Sequence, residues 1–187
     1  AFIAALHTLC KAGDNIIMFE PFYSYHQTIC TQFQIDVKAL PGADIGETLD
    51  MDLIDAQVDS KTRAIILCNP NNPSGKCYSK KELIAIGELA LKHDLMIIID
   101  EMYEHFIFPG HEHLSLASIE RFKNNVVTVS GFSKVYSITG WRLGYLYGPA
   151  HLMHHFSRVH DLFCICPPAP FQHAMITALN LPQSYYD

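Results

Sequence analysis

The chain has 187 residues, a formal net charge of -6 and 49% hydrophobic residues, a composition that can bury a core and excludes a disordered polypeptide. Mild acidity without any basic run excludes nucleic acid and anionic membrane surfaces as main partners. The longest apolar runs, such as Leu95–Ile99, are too short to span a bilayer, and the length suits one domain or a large part of one.

The opening residues AFIAALHTLC carry no initiating Met and no basic leader, and they read as the interior of a helix. Phe2, Ile3, Leu6, Leu9 and Cys10 recur at helical spacing, and Gly13 is the expected stop. The expectation is therefore a portion of a longer protein, whose targeting signal would lie elsewhere. Asn15–Glu20, closed by Pro21, reads as a buried strand, and a second helix and a strand near Ile35–Leu40 follow. Asp52–Val58 predicts a short helix, Arg63–Asn69 a buried strand and Asn69–Gly75 a dense turn. Ser79 and Glu82 form a capping-box signature for a helix running to about His93. Leu95–Asp100, Val126–Gly131 and Trp141–Gly148 complete the strands. Two helices, broken at Pro167, Pro168 and Pro170, close the chain.

Strands alternating with helices predict an α/β fold, a three-layer sandwich with a mostly parallel central sheet. Strands that are apolar throughout fit a sheet covered on both faces. No internal repeat, low-complexity segment or linker interrupts the pattern. Cys10, Cys30, Cys68, Cys77, Cys164 and Cys166 sit mostly in apolar runs without a CxxC pair. They read as reduced, buried thiols of an intracellular protein, cytoplasmic with the mitochondrion left open. His111 and His113, and His151, His154 and His155, lack a cysteine or carboxylate set at ligand spacing, so they are expected on the surface or in helix packing, with no metal.

In open α/β sheets ligands sit at the carboxyl ends of the strands. Three segments with chemistry fall there: NPNNPSG (residues 69–75), DEMY (100–103) and SGFSK (130–134), with GWRLG (140–144) just beyond. Together, in this order, they resemble fold type I pyridoxal-phosphate (PLP) aminotransferases of class I and II. That family carries an NPxNPTG-like loop, a DExY strand end, an SxxK-like lysine turn and a GxRxG arginine eight residues after the lysine. The resemblance covers nearly the whole chain. EPFY near the start, and Pro182, Ser184, Tyr185 and Tyr186 at the end, look most like the kynurenine and aromatic aminotransferase branch.

The resemblance implies pyridoxal 5'-phosphate as cofactor, held by Lys134 as a Schiff base. A lysine amine is a nucleophile only when deprotonated, and a partly desolvated site beside cations lowers its pKa. Asp100 would pair with the pyridine nitrogen and keep the ring cationic. Tyr103 and Asn72 would hydrogen-bond the phenolate oxygen, Arg142 would grip the phosphate as a bidentate fork, and Tyr23 would stack on the ring. Trp141 is expected in packing. The family often has a phosphate-touching serine three residues before the lysine; here that position is Gly131, and Ser130 or Ser133 are the substitutes to consider. Residues 1–187 would form an incomplete large PLP-binding domain. The phosphate loop before Ala1 and the small domain, with its carboxylate-binding arginine, would lie outside it.

The function so implied is an aminotransferase moving an amino group from an amino acid to a 2-oxo acid. The full-length form would be a homodimer, in which Cys166–Gln172 reaches toward the partner's site. A carbon–sulfur β-lyase acting on cysteine conjugates uses the same motifs and stays open, as does a non-catalytic homologue or fragment. A dinucleotide-binding domain is disfavoured because no GxGxxG follows a strand.

Overall fold

The structure, a computed structural model, describes residues 1–42 and 48–186. Six strands, β1 (Asn15–Glu20), β2 (Asp36–Pro41), β3 (Thr62–Cys68), β4 (Met96–Asp100), β5 (Val126–Gly131) and β6 (Gly144–Tyr147), form one sheet in the order β2-β1-β3-β4-β5-β6. β1 to β5 are parallel and β6 runs antiparallel to β5. Helices α1 (Phe2–Leu9), α2 (Ser24–Gln32), α3 (Met51–Ala56), α4 (Lys80–Lys92), α5 (Ala150–Phe163) and α6 (Ala169–Leu179) complete the chain. This is the predicted α/β sandwich.

Side chains alternate across a strand, so an apolar run supplies two cores at once. Ile17, Phe19, Ile65, Leu67, Ile97 and Ile99 pack with Ile54 of α3 and with Leu83, Ile86 and Leu89 of α4. Ile16, Met18, Ala64, Ile66 and Ile98 face the other way, against Ala5 and Leu6 of α1, Cys30 of α2 and Phe156 of α5. Each large apolar side chain so buried contributes about 1.5–3 kcal/mol. The Ser79–Glu82 capping box is present as predicted, but a cap is worth only about 1 kcal/mol. Packing therefore decides whether α4 forms, and the cap decides where it begins.

Four details differ from the sequence reading. α1 ends at Leu9, and Gly13 instead turns the chain into β1 at φ 85°. The last strand begins at Gly144, not Trp141, because residues 139–141 form a short helical turn and Arg142 is left-handed. Pro170 lies within the first turn of α6, so the helix break is confined to residues 164–168. All six cysteines are free; Cys10, Cys30 and Cys68 are buried as expected, but Cys164 and Cys166 are exposed beyond the end of α5. No described helix is long and apolar enough to cross a membrane.

The α4–Phe122 contact gives a stability test. A Cβ on Gly87 would lie 2.8 Å from the Phe122 ring, which is only 1% exposed. Alanine gains about 1 kcal/mol of helix propensity over glycine, but overpacking a core costs about 1–3 kcal/mol. Gly87→Ala is expected to lower the urea midpoint without changing the slope, against the gain that propensity alone would give.

Candidate active site

Because β1 to β5 are parallel, their carboxyl ends share one edge of the sheet. β3 and β4 end on the Cys68–Asp100 rung, and the Asn69 amide donates to the Asp100 carbonyl at 2.8 Å. β5 and β6 meet at the Gly131–Gly144 rung. The connection between them therefore carries both Lys134 and Arg142 at that same edge. Tyr23, the N-cap of α2, follows the end of β1.

Asp100 is the most constrained of these groups. Its Oδ1 accepts from the Met102 amide at 3.0 Å, and its Oδ2 lies 3.2 Å from His26 Nε2. The two side chains are 14% and 6% exposed. His26 is itself fixed, stacked on Phe2 at 4.3 Å and edge-on to Tyr23 at 5.4 Å. The sequence reading missed His26. The available signal was its place three residues after Tyr23, on the same side of a helix.

Tyr103 joins Asp100 to the lysine turn, with Lys134 Nζ 6.0 Å from its ring centroid. Burial raises the pKa of the Tyr103 phenol, and Cys68 and Asp100 add to it. Burial likewise raises that of Tyr23, with Tyr25, Tyr103 and Asp100 adding and Arg142 opposing. Asn72 is half-buried, and its main chain faces the Cys68 thiol beside Asp100. All six residues singled out from the sequence thus gather at one edge. Among the described residues, the Lys134 amine and the Tyr103 hydroxyl have no hydrogen-bond partner.

Arg142 adopts the left-handed conformation (φ 55°), uncommon for a non-glycine residue. One guanidinium nitrogen donates to the Thr139 carbonyl at 2.9 Å, which leaves its other donors for a ligand. Trp141 is in packing as expected, stacked on Phe171 at 4.6 Å. At Gly131 a Cβ would meet the Leu143 carbonyl at 3.0 Å and the Gly144 Cα at 3.2 Å. Glycine stands there because two backbones meet. Of the two substitutes considered, Ser130 donates to the Glu101 carbonyl at 3.2 Å, and Ser133 is buried.

His111, His151, His154 and His155 are exposed, as read from the sequence. His113 is not a surface residue. It joins a polar network with Glu101, which is 1% exposed. The ligand atoms of Glu101, Glu104 and His113 lie within 4.8 Å of one another. Asn69 Oδ1 accepts from the Tyr78 amide at 3.0 Å, which turns its Nδ2 donor toward His113 Nδ1 at 3.5 Å. His113 Nε2 faces Glu101 Oε1 at 3.7 Å, beyond hydrogen-bond distance. A cavity of about 1100 Å³ lies behind this network, between residues 75–82 and 108–114, and includes neither Lys134 nor Arg142. Lys134 and Arg142 are exposed, so their edge is an open shelf.

A parallel-sheet sandwich with lysine, carboxylate, tyrosine and arginine at its carboxyl edge defines a class of cofactor-holding α/β domain. The chain belongs to the aminotransferase class I and II family, whose model matches residues 1–187. It is 33% identical over 186 residues to an aspartate aminotransferase of Pyrococcus abyssi, covering 99% of this chain and 48% of that protein. It is 32% identical over 199 residues to human kynurenine–oxoglutarate transaminase 3, covering 97% of this chain and 44% of that protein. The solved N-succinyldiaminopimelate aminotransferase of Mycobacterium tuberculosis superposes with a TM-score of 0.93 at 32% identity, over 99% of this chain and 49% of that one. Cystalysin of Treponema denticola, whose structure contains a pyridoxal 5'-phosphate cofactor, superposes with a TM-score of 0.81 at 25% identity, over 86% of this chain and 42% of that one. The chain spans about half the length of the curated relatives it matches.

Three buried thiols give a test of burial: Cys68 at this edge, and Cys10 and Cys30 toward the amino ends of β1 and β3. Desolvation pushes Cys10 up to about 12 and Cys30 up to about 11, and raises Cys68 further. Thiolate is the reacting form. A maleimide at neutral pH should leave Cys10, Cys30 and Cys68 unmodified in the native protein and label all of them in denaturant, as read by peptide mass mapping.

Proposed function

We propose that this chain is most of the large, cofactor-holding domain of a pyridoxal-phosphate-dependent aminotransferase that moves an amino group from an amino acid to a 2-oxo acid. The observation that carries the reading is the meeting of Lys134, Asp100, Tyr103 and Arg142 at one sheet edge in a member of this family.

The donor set fits the cofactor group by group. Arg142 offers a guanidinium for the phosphate. Asp100, held by His26 and Met102, offers a fixed carboxylate for a protonated ring nitrogen. Tyr23 supplies an aromatic face, and Tyr103 with Asn72 supplies donors for the phenolic oxygen. Lys134, whose amine has no hydrogen-bond partner among the described residues, supplies the covalent anchor.

When bound, pyridoxal phosphate supplies an electron sink for breaking a bond at the substrate's α-carbon. The chain's own residues do the rest. Lys134 Nζ takes the α-proton as general base and returns it as acid. Asp100 keeps a proton on the ring nitrogen by charge, and His26 holds that carboxylate in place. Tyr103, with Asn72, would donate to the cofactor's phenolic oxygen.

The substrate-carboxylate arginine, the small domain and the remaining phosphate contacts belong, in this reading, to the rest of the full-length protein. That protein acts as a homodimer in the cytoplasm. Leu162 and Ile165, 83% and 82% exposed near the end of α5, support a subunit contact, and the free cysteines support a reducing compartment. Nothing in the described site favours carbon–sulfur elimination over amino transfer.

Borohydride reduction of the full-length protein with pyridoxal phosphate, followed by peptide mapping, should place the label on Lys134 and lose it in Lys134→Ala. Label on another lysine overturns the assignment. Asp100→Asn should keep the cofactor but lose the charge that holds the ring proton. Breaking a buried ion pair costs about 3 kcal/mol or more, so turnover should fall about a hundredfold or more; near-normal turnover contradicts the role.

A further inference from the structure

The lysine turn is tied to a segment far along the chain. Past α6 a short helical turn, Gln183–Tyr185, returns to the carboxyl edge of the sheet. There the Tyr185 hydroxyl donates to the Val135 carbonyl at 2.9 Å, on the Val135–Tyr136 peptide, one residue past Lys134. The Tyr186 and Tyr136 hydroxyls are 2.6 Å apart. The Tyr185 ring stacks on Tyr136 at 5.8 Å, and the Tyr186 ring stacks on His105 at 4.7 Å. Tyr136 lies two residues after Lys134, and His105 two residues after Tyr103. The two tyrosines therefore bridge the turn that carries Lys134 and the turn that carries Tyr103.

We propose that Tyr185 and Tyr186 are positioning residues for Lys134, a clamp that sets the lysine turn against Tyr103. This rests on the reading of Lys134 as the cofactor-bearing lysine. The physical need is specific. A lysine amine rides on a flexible stem, so its reach is set by the backbone at its base. That backbone is a turn held by main-chain bonds from Tyr136 to Phe132, from Ser137 to Lys134 and from Ile138 to Ser133. Ser137 is left-handed in it, at φ 54°. The Val135 carbonyl would otherwise depend on solvent. A hydroxyl donor fixes that peptide plane, and the Tyr136–Tyr186 pair fixes the side chain one residue on. Misplacing a reacting group by about 1 Å can cost about a hundredfold in rate, so such a clamp matters beyond stability.

The test uses Tyr185→Phe and Tyr186→Phe, which remove a hydroxyl and keep the ring. In cofactor-free full-length protein, amide exchange over residues 132–138 should rise about tenfold in each variant, the scale of one lost net hydrogen bond. In pyridoxal-phosphate-loaded protein, borohydride should still label Lys134, while the pH midpoint of the cofactor's visible band moves by about half a unit or more. Faster exchange with an unmoved midpoint overturns the proposal, because the tyrosines then only hold the fold. No change in either readout overturns it as well. Absence of label on wild-type Lys134 sinks the cofactor reading itself, whereas a retained label with a fixed midpoint sinks the positioning role alone. Should Tyr186→Phe fail to fold, Tyr185→Phe, at a residue 46% exposed, carries the same measurements.

Discussion

Gly131 and Gly144 face each other on the last rung of the β5–β6 ladder, where neither has room for a side chain. A Cβ on Gly144 would stand 2.9 Å from the Ser130 carbonyl, and one on Gly131 would press on Leu143 and Met102. This close approach lets β5 be followed by a strand running back beside it. The connection then has to begin and end at the carboxyl edge, and both Lys134 and Arg142 lie in it. Had β6 been parallel, a crossover would have separated the two residues by the length of a strand. The eight-residue spacing thus lies within a single connection, and the left-handed Arg142 is where it bends back into the sheet.

Charge is managed differently at this edge than on the rest of the surface. Exposed pairs such as Lys123–Glu120 and Arg121–Glu88 contribute about 0–1 kcal/mol each. Asp100 is mostly removed from water, and a buried carboxylate is tolerated only with partners. Its two oxygens have one each, Met102 from its own turn and His26 from α2. His26 in turn sits between Phe2 and Tyr23, so α1 and α2 both orient a carboxylate carried by β4. A second buried carboxylate, Glu101, is held by Tyr147 at 3.3 Å and faces His113. Adjacent acidic residues at one strand end are thereby directed to opposite sides, the first toward the lysine shelf and the second into the packing beneath residues 105–115.

Much of this was legible in the residues themselves. The apolar runs at Asn15–Glu20, Arg63–Asn69, Leu95–Asp100 and Val126–Gly131 are too short for helices and too apolar for edge strands, so a doubly covered parallel sheet followed. Ser79 and Glu82 announce a helix start through a local hydrogen-bond exchange that needs no distant partner. Most of the motif residues could be placed because they lie within a few residues of a strand's carboxyl end, and parallel strands bring those ends together; Arg142 reaches that edge only because β6 runs back beside β5. Other features left no local trace. The exposure of Cys164 and Cys166 depends on where α5 stops packing, and the start of β6 depends on the left-handed Arg142 before it.

Sequence alone thus determined the layers and most of the strand ends, because periodicity, capping and turn chemistry act over a few residues; Tyr23, Asn72, Asp100, Tyr103, Lys134 and Arg142 were singled out by resemblance to a family's motifs. Tertiary structure decided what supports them. His26 reaches Asp100 from a helix before the second strand, and Tyr185 and Tyr186 reach the lysine turn from 50 residues further along the chain. Asn69 meets His113 from 44 residues earlier in the chain. These contacts join groups whose separation along the chain carries no period or spacing rule. They exist only once the sheet has fixed which ends of which elements share a volume, and no reading of neighbouring residues contains that distance.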